Sequence, residues 1–154
     1  RAPVDLRSIL PLGLWDLHRQ VPDVSWHALL EDDVTVTGVR YQLRVLVQRL
    51  AHAAATQAGT GGHAVLFSQH RRDTGKVYLG ASARSDAAPL PVDGNARLPL
   101  CALLARNHGG GLEVDRAFDL GPLCSARGVT LPCATKGVLF VAELAVRPNP
   151  APLR

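Results

Sequence analysis

The longest hydrophobic pattern in the chain runs from Thr37 to Gly62 and predicts one long amphipathic helix. The apolar residues recur at three-and-four spacing on one helical face: Val39, Leu43, Leu46, Val47, Leu50 and Ala54. Thr37 is suited to cap the first free backbone N–H groups, and Gly59 to Gly62 are suited to the exit from a helix. We therefore expect this helix to cover one face of a sheet.

Short strands are expected on either side of the helix. Residues His63 to Arg84 alternate in polarity around Asp73 to Lys76, a sequence that favours a type I turn with a glycine bulge, so a β-hairpin is predicted. Gly137 to Arg147 is almost wholly apolar, as expected for a central strand covered on both faces. Further strands are expected at 34–37 and 112–118, with a small edge strand at 129–131. Leu100 to Asn107 is predicted as a short helix, with a strand as the alternative.

The first 33 residues are predicted to form an arm that docks on the core. Prolines divide this stretch into short apolar pieces, one of which is a short helix that Asp23 or Ser25 would cap and that runs through Trp26. Trp15 and Trp26 are expected to pack the arm onto the domain, or else to contact a partner. We expect the arm to cover part of the second sheet face and to leave an apolar patch.

These elements predict an α+β fold with a mainly antiparallel or mixed sheet of about five strands. One long helix packs across one face of the sheet. The predicted organisation is an arm at 1–33, a core domain at 34–147 and a Pro-rich tail or linker at 148–154.

Composition narrows the class of protein. Of the 154 residues 47% are hydrophobic, which is enough for a packed core. No apolar run approaches the roughly 20 residues that span a bilayer. An odd number of cysteines, three, cannot all pair in disulfides, which favours a reducing, intracellular compartment. In an oxidising compartment Cys124 and Cys133 could pair. Because the chain has no methionine, we expect it to be either processed at its N-terminus or excised from a longer protein, and the Pro-rich end favours excision. The arginine excess over lysine is most simply GC-rich coding.

The net charge of +4 comes from the second part of the chain and allows polyanionic partners. A polyanion or nucleic acid would bind the basic residues of the long helix and of the hairpin tip: Arg40, Arg44, Arg49, Arg71, Arg72 and Lys76. Aromatic residues make up only 5% of the chain, so few are available for base stacking, and solvated arginine faces are the simpler interpretation.

Local motifs do not favour catalysis or a cofactor. The glycines at 59–62 follow a helix rather than precede one, which is the wrong order for a phosphate loop. Cys124 and Cys133 lack the close spacing of zinc ligand pairs, and no metal is predicted. Cys101 has the surroundings of a core thiol.

The sequence alone therefore favours a non-catalytic interaction or assembly domain. Such a domain would bind a protein partner or a second copy of itself and would need no cofactor. The first alternative is a nucleic-acid or polyanion-binding module, and the second is a small hydrolase or transferase with a cysteine nucleophile.

Overall fold

A computed structural model describes residues 2–9, 19–20, 22–29, 35–58, 61–71, 76–84, 98–119, 136–145 and the single positions 122, 125 and 128. A short 3₁₀ helix, Leu6–Ser8, follows the first strand. The other elements, in chain order, are β1 Ala2–Asp5, β2 Ser25–Leu29, β3 Thr35–Gly38, α1 Arg40–Ala58, β4 His63–Arg71, β5 Lys76–Arg84, α2 Leu98–Asn107, β6 Gly111–Asp119 and β7 Lys136–Ala145.

The main sheet has five described strands in the order β2-β4-β5-β7-β6. β2 is parallel to β4, and every other neighbouring pair is antiparallel. β1 and β3 pair antiparallel in a small second sheet. The predicted α+β fold, with a mixed sheet of about five strands, is confirmed.

The long helix α1 packs on β4, β5 and β7. Leu43, Leu46 and Leu50 are fully buried, as the apolar spacing predicts. The short helix α2 packs beside α1 and on β6 and β7, so both helices lie on one face of the sheet. Its helical conformation excludes the strand that was the alternative for this segment. Within the described part of the chain, neither helix has both the length and the hydropathy needed to cross a membrane.

The predicted hairpin is formed by β4 and β5. The two strands pair in an unbroken antiparallel register from His63 opposite Arg84 to Arg71 opposite Lys76. The turn that joins them, including Gly75, lies outside the described residues. The strand predicted at 112–118 is β6, whose register with β7 shifts between Asp115 and Phe118. The edge strand predicted at 129–131 also lies outside the described residues.

The short helix predicted through Trp26 was wrong, because the segment is strand β2. Residues 26, 29 and 30 have helical spacing in the sequence, but Ser25 to Leu29 pairs in parallel with residues 63–67 of β4. This pairing joins segments that are far apart in the chain, so local periodicity did not reveal it.

The N-terminal segment also contributes to the core. Val4, Leu6 and Ile9 are buried in the same hydrophobic cluster as the α1 leucines. Asp5 caps the 3₁₀ helix by accepting a hydrogen bond from the Arg7 backbone N–H at 3.0 Å.

A buried histidine joins the end of α2 to the start of α1. His108 is 2% exposed. Its Nδ1 lies 2.8 Å from the Leu104 carbonyl oxygen, and its Nε2 accepts a hydrogen bond from the Val39 backbone N–H at 3.2 Å. Nδ1 therefore carries the proton and caps one of the last four carbonyls of α2, which as a rule find no N–H donor within their own helix. A side chain at residue 38 would collide with the His108 ring, so the histidine can occupy this position only because residue 38 is glycine.

Candidate functional site

The outer side of α1 carries a row of polar residues that we call the α1 polar stripe: Gln48, His52 and Thr56. Their spacing of four residues aligns them along one side of the helix. All three are half-buried, although they lie opposite the leucines that face the sheet. The Thr56 hydroxyl donates to the His52 carbonyl at 3.0 Å, which leaves its lone pairs as acceptors.

Burial along this outer side differs between the two halves of α1. In the first half, Tyr41 is 75% exposed and Arg44 is also exposed. In the second half the polar stripe is half-buried, and Ala51 and Ala55 beside it are buried. The outer side of the second half, which we call the α1 recess, is therefore more covered than that of the first half. Polar groups meet apolar ones there, and ligand sites usually have this character.

The second helix borders this recess. Cys101 of α2 is buried, and the positive charge of Arg49 on α1 acts on it. Burial raises the pKa of the Cys101 thiol to about 11, although Arg49 and a backbone hydrogen bond partly oppose the rise. The thiol is therefore protonated near neutral pH and is a poor nucleophile, which removes the physical basis for a cysteine-dependent hydrolase or transferase centred on Cys101.

The basic residues chosen from the sequence do not form one surface on α1. Arg40, Arg44 and Arg49 are all exposed. At about 100° per residue, Arg49 is rotated about 140° from Arg44, toward the α2 side. Arg40 is engaged with the N-terminal segment, since its guanidinium donates to the Ser8 hydroxyl at 3.0 Å. Arg71 and Lys76 face each other in the hairpin register, and Arg72 lies outside the described residues.

Of the two tryptophans, the structure describes only Trp26. Trp26 on β2 is half-buried and packs against the hydrophobic core. Trp15 lies outside the described residues, as do Cys124 and Cys133. A partner-binding role for Trp15 and Trp26 stays a prediction. Among the described residues, no group of three or more His, Cys, Asp or Glu side chains is arranged to hold a metal ion.

Comparison with known proteins gives matches in structure and none in sequence. No protein-family model matches the sequence, and no curated protein matches it. Solved structures match it over nearly its whole length.

The catalytic domain of the histidine kinase ThkA superposes with a TM-score of 0.72 at 14% identity, covering 96% of this chain and 98% of that one. The ATP-binding domain of PrrB from Mycobacterium tuberculosis has a TM-score of 0.67 at 19% identity, covering 95% and 97%. ThkA in complex with the response regulator TrrA has a TM-score of 0.66 at 14% identity, covering 97% of this chain and 43% of that one.

The prediction of a non-catalytic assembly domain was wrong, as was the inclination against an enzyme. The structures that share this fold are catalytic domains of kinases. The nucleic-acid alternative is not supported either, because the α1 arginines diverge around the helix and the fold is one that kinases use. The cysteine-enzyme alternative is contradicted by the same likeness of fold, and Cys101 is in addition a poor nucleophile.

Sequence reasoning missed the α1 polar stripe. Gln48 and His52 lie opposite the apolar face of α1, where polar residues are usually solvated. Their half-burial depends on what packs over the helix, and the periodicity of α1 alone does not contain that information. The signal that was available is the spacing of four residues that places Gln48, His52 and Thr56 on one side of a helix whose second half is rich in alanine.

Proposed function

We propose that this chain is the ATP-binding catalytic domain of a histidine kinase. The likeness to the ThkA and PrrB domains carries the proposal, because it extends over almost the full length of both chains being compared. The recess over the second half of α1 supports it, since this recess offers hydrogen-bonding groups in a partly apolar setting.

The nucleotide would contact the α1 polar stripe. Gln48 supplies a carboxamide, His52 an imidazole and Thr56 a hydroxyl acceptor, which suit the polar edges of a base or a ribose. Arg49, exposed on the α2 side of the stripe, is the described cation best placed for the phosphates. ATP bound there would supply the phosphoryl group, and the residues named here would hold and orient it.

The sequence before α2 indicates how tightly the site would bind the phosphates of the nucleotide. Phosphate sites commonly use glycines before a helix, because backbone N–H groups can then approach the phosphate closely. Residues 85–97 precede α2 and contain a single glycine, Gly94. We therefore expect phosphate binding to be weaker here than at a glycine-rich loop, with side chains such as Arg49 carrying more of it.

The proposed activity requires a protein partner to receive the phosphoryl group. ThkA has been solved with a response regulator, and we propose a partner of the same kind, or another part of a longer kinase, for this chain. The Pro-rich stretch 148–154 is then best regarded as a linker. The location we propose is inside the cell, where ATP is available.

Equilibrium titration of the chain with ATP and Mg²⁺ tests the proposal. Saturable binding is expected, and His52→Ala and Gln48→Ala should each weaken it about tenfold, which corresponds to about 1.4 kcal/mol. Arg44→Ala is the matched control, because Arg44 is an exposed polar residue of the same helix outside the recess. Absence of binding at millimolar ATP, or equal losses in all three variants, would refute the proposed site.

A further inference from the structure

Two histidines on neighbouring strands lie in direct contact. His27 Nε2 and His63 Nδ1 are 3.0 Å apart, and the two rings are stacked with their centroids 5.3 Å apart. Both side chains are half-buried. Nothing in the proposed nucleotide site uses them.

The backbone holds this pair in place. Ser25 pairs with His63 and His27 with Val65 in the parallel register of β2 and β4, so the two imidazoles project from the same face of the sheet. The segments just before both strands are also joined. The Ser25 N–H donates to the Gly62 carbonyl at 3.0 Å, and the Gly61 N–H donates to the Asp23 carbonyl at 2.9 Å.

The pair lies on the sheet face opposite the helices. Ala64 and Leu66, which alternate with His63 and Val65 along β4, belong to the core cluster that contains the α1 leucines. His63 and His27 therefore point away from α1 and from the recess that holds the polar stripe. A ligand of the histidine pair would be distinct from the nucleotide.

The two facing nitrogens are close enough to hold a single proton or a single metal ion between them. When both histidines are neutral, one ring donates its N–H to the lone pair of the other. Moving the donated proton to the far nitrogen of its own ring would free two lone pairs on the facing atoms, with no net release of a proton.

The spacing of these atoms matches that of two metal ligands. Two nitrogens bound about 2.0–2.1 Å from one ion are about 2.9 Å apart at a right angle and about 3.4 Å apart at the tetrahedral angle. The observed 3.0 Å is closest to the right-angled arrangement of a square-planar or tetragonal ion. Rotation of the rings about their side-chain bonds would aim both lone pairs at one ion.

We propose that His27 and His63 form a two-histidine site for a divalent transition-metal ion. Imidazole ligands select copper, nickel or zinc, whereas magnesium and calcium prefer oxygen ligands. β2 lies at the edge of the sheet that the described strands form, and both histidines are only half-buried, so water can complete the coordination. Affinity should follow the general order for such ions, with Cu²⁺ first, and the right-angled spacing favours Cu²⁺ and Ni²⁺ over tetrahedral Zn²⁺.

Thermal unfolding of the full chain with added Cu²⁺, Ni²⁺, Zn²⁺ or Mg²⁺ tests this site. An ion that binds the folded state raises the unfolding midpoint as its concentration increases. We expect a rise with Ni²⁺ and Cu²⁺, a smaller rise with Zn²⁺ and none with Mg²⁺. His27→Gln and His63→Gln should each weaken Ni²⁺ binding at least tenfold. The control is His70→Gln, which is seven residues, or about 23 Å, along β4 from His63 and should retain the full rise.

Electron paramagnetic resonance of Cu²⁺ bound to the unaltered chain gives a second reading that does not depend on how the variants fold. Coordination by two imidazole nitrogens at one Cu²⁺ per chain is the expected result. A spectrum with one nitrogen or none would overturn the proposal. So would a Ni²⁺ effect that is equal in the parent chain and in the His27→Gln and His63→Gln variants.

Discussion

The three consecutive glycines after α2 meet very different surroundings. Gly109 has a φ of +82°, and a Cβ on it would lie 2.7 Å from the Ala145 Cβ. A Cβ on Gly110 would collide with the Glu143 carbonyl oxygen, whereas one on Gly111 would meet nothing within 4 Å. The Ala145 N–H donates a hydrogen bond of 2.9 Å to the His108 backbone carbonyl. This hydrogen bond joins the end of β7 to the turn after α2 and explains the close approach.

Gly110→Ala should destabilise the domain by about 1–3 kcal/mol or more, since the added methyl group forces a backbone shift. Gly111→Ala is the matched control and should change stability by less than about 1 kcal/mol, because alanine suits a strand better than glycine does. Denaturant unfolding of both variants measures the difference. Equal stabilities would mean that the turn after α2 does not approach β7 as closely as described.

His27 gives the stability of the domain a pH dependence. The pKa of His27 is lowered in the folded state by burial and then by His63, so the unfolded chain binds more protons than the folded one just below the ordinary pKa of 6.5. The stability linked to His27 is therefore fully present above about pH 6.5 and declines as the pH falls below it.

We expect His27→Gln to flatten this decline between about pH 6.5 and pH 5 relative to the unaltered chain. The measurement is the free energy of unfolding at several pH values for both proteins in the absence of metal ions. A decline of the same steepness in both would show that His27 titrates as it does in the unfolded chain.

At the scale of elements, α1 and the hairpin were predictable because their signals are local. The apolar spacing of α1 is retained in the burial of Leu43, Leu46 and Leu50. The two hairpin strands are adjacent in the chain, so the alternation of polar and apolar residues and the turn residues between the strands were enough to predict the hairpin. In contrast, β2 joins the sheet through residues 63–67, more than 30 positions away, and its short apolar piece carried a misleading helical spacing.

The candidate site was not predictable from the sequence, because it depends on partial burial. His52 and Arg44 are both polar residues on the outer side of one helix, yet one is half-buried and the other exposed. That difference depends on which other segments pack over α1, and the sequence of the helix alone does not contain this information. His27 and His63 likewise meet only through the parallel pairing of β2 and β4.

Leu50→Ala should cost about 2–5 kcal/mol, because Leu50 is fully buried between α1 and the sheet and its truncation leaves a cavity. Tyr41→Ala, on the same helix and 75% exposed, is the control and should stay within about 0.5 kcal/mol of the unaltered chain. Chemical denaturation distinguishes the two. A loss under half a kcal/mol for Leu50→Ala would contradict the helical phase described here.

At the scale of the whole molecule, the two helices and the sheet place the two proposed sites on opposite faces. The α1 polar stripe lies on the helix side, and the histidine pair lies on the other. The fold likeness covers 96% of the chain in the comparison with ThkA, so it includes the N-terminal segment as well as the predicted core at 34–147. The proposed nucleotide binding should accordingly be tested on the whole chain.

Hydrogen exchange of the intact chain with and without ATP and Mg²⁺ tests nucleotide binding at the α1 recess most directly. Amides gain protection where a ligand contacts or stabilises the backbone. We predict slower exchange in the second half of α1, from Gln48 to Ala58, and in the first turns of α2, with no change in β1 and β3. Unchanged exchange throughout at millimolar ATP, or protection confined to the hairpin end near Arg71 and Lys76, would contradict the account.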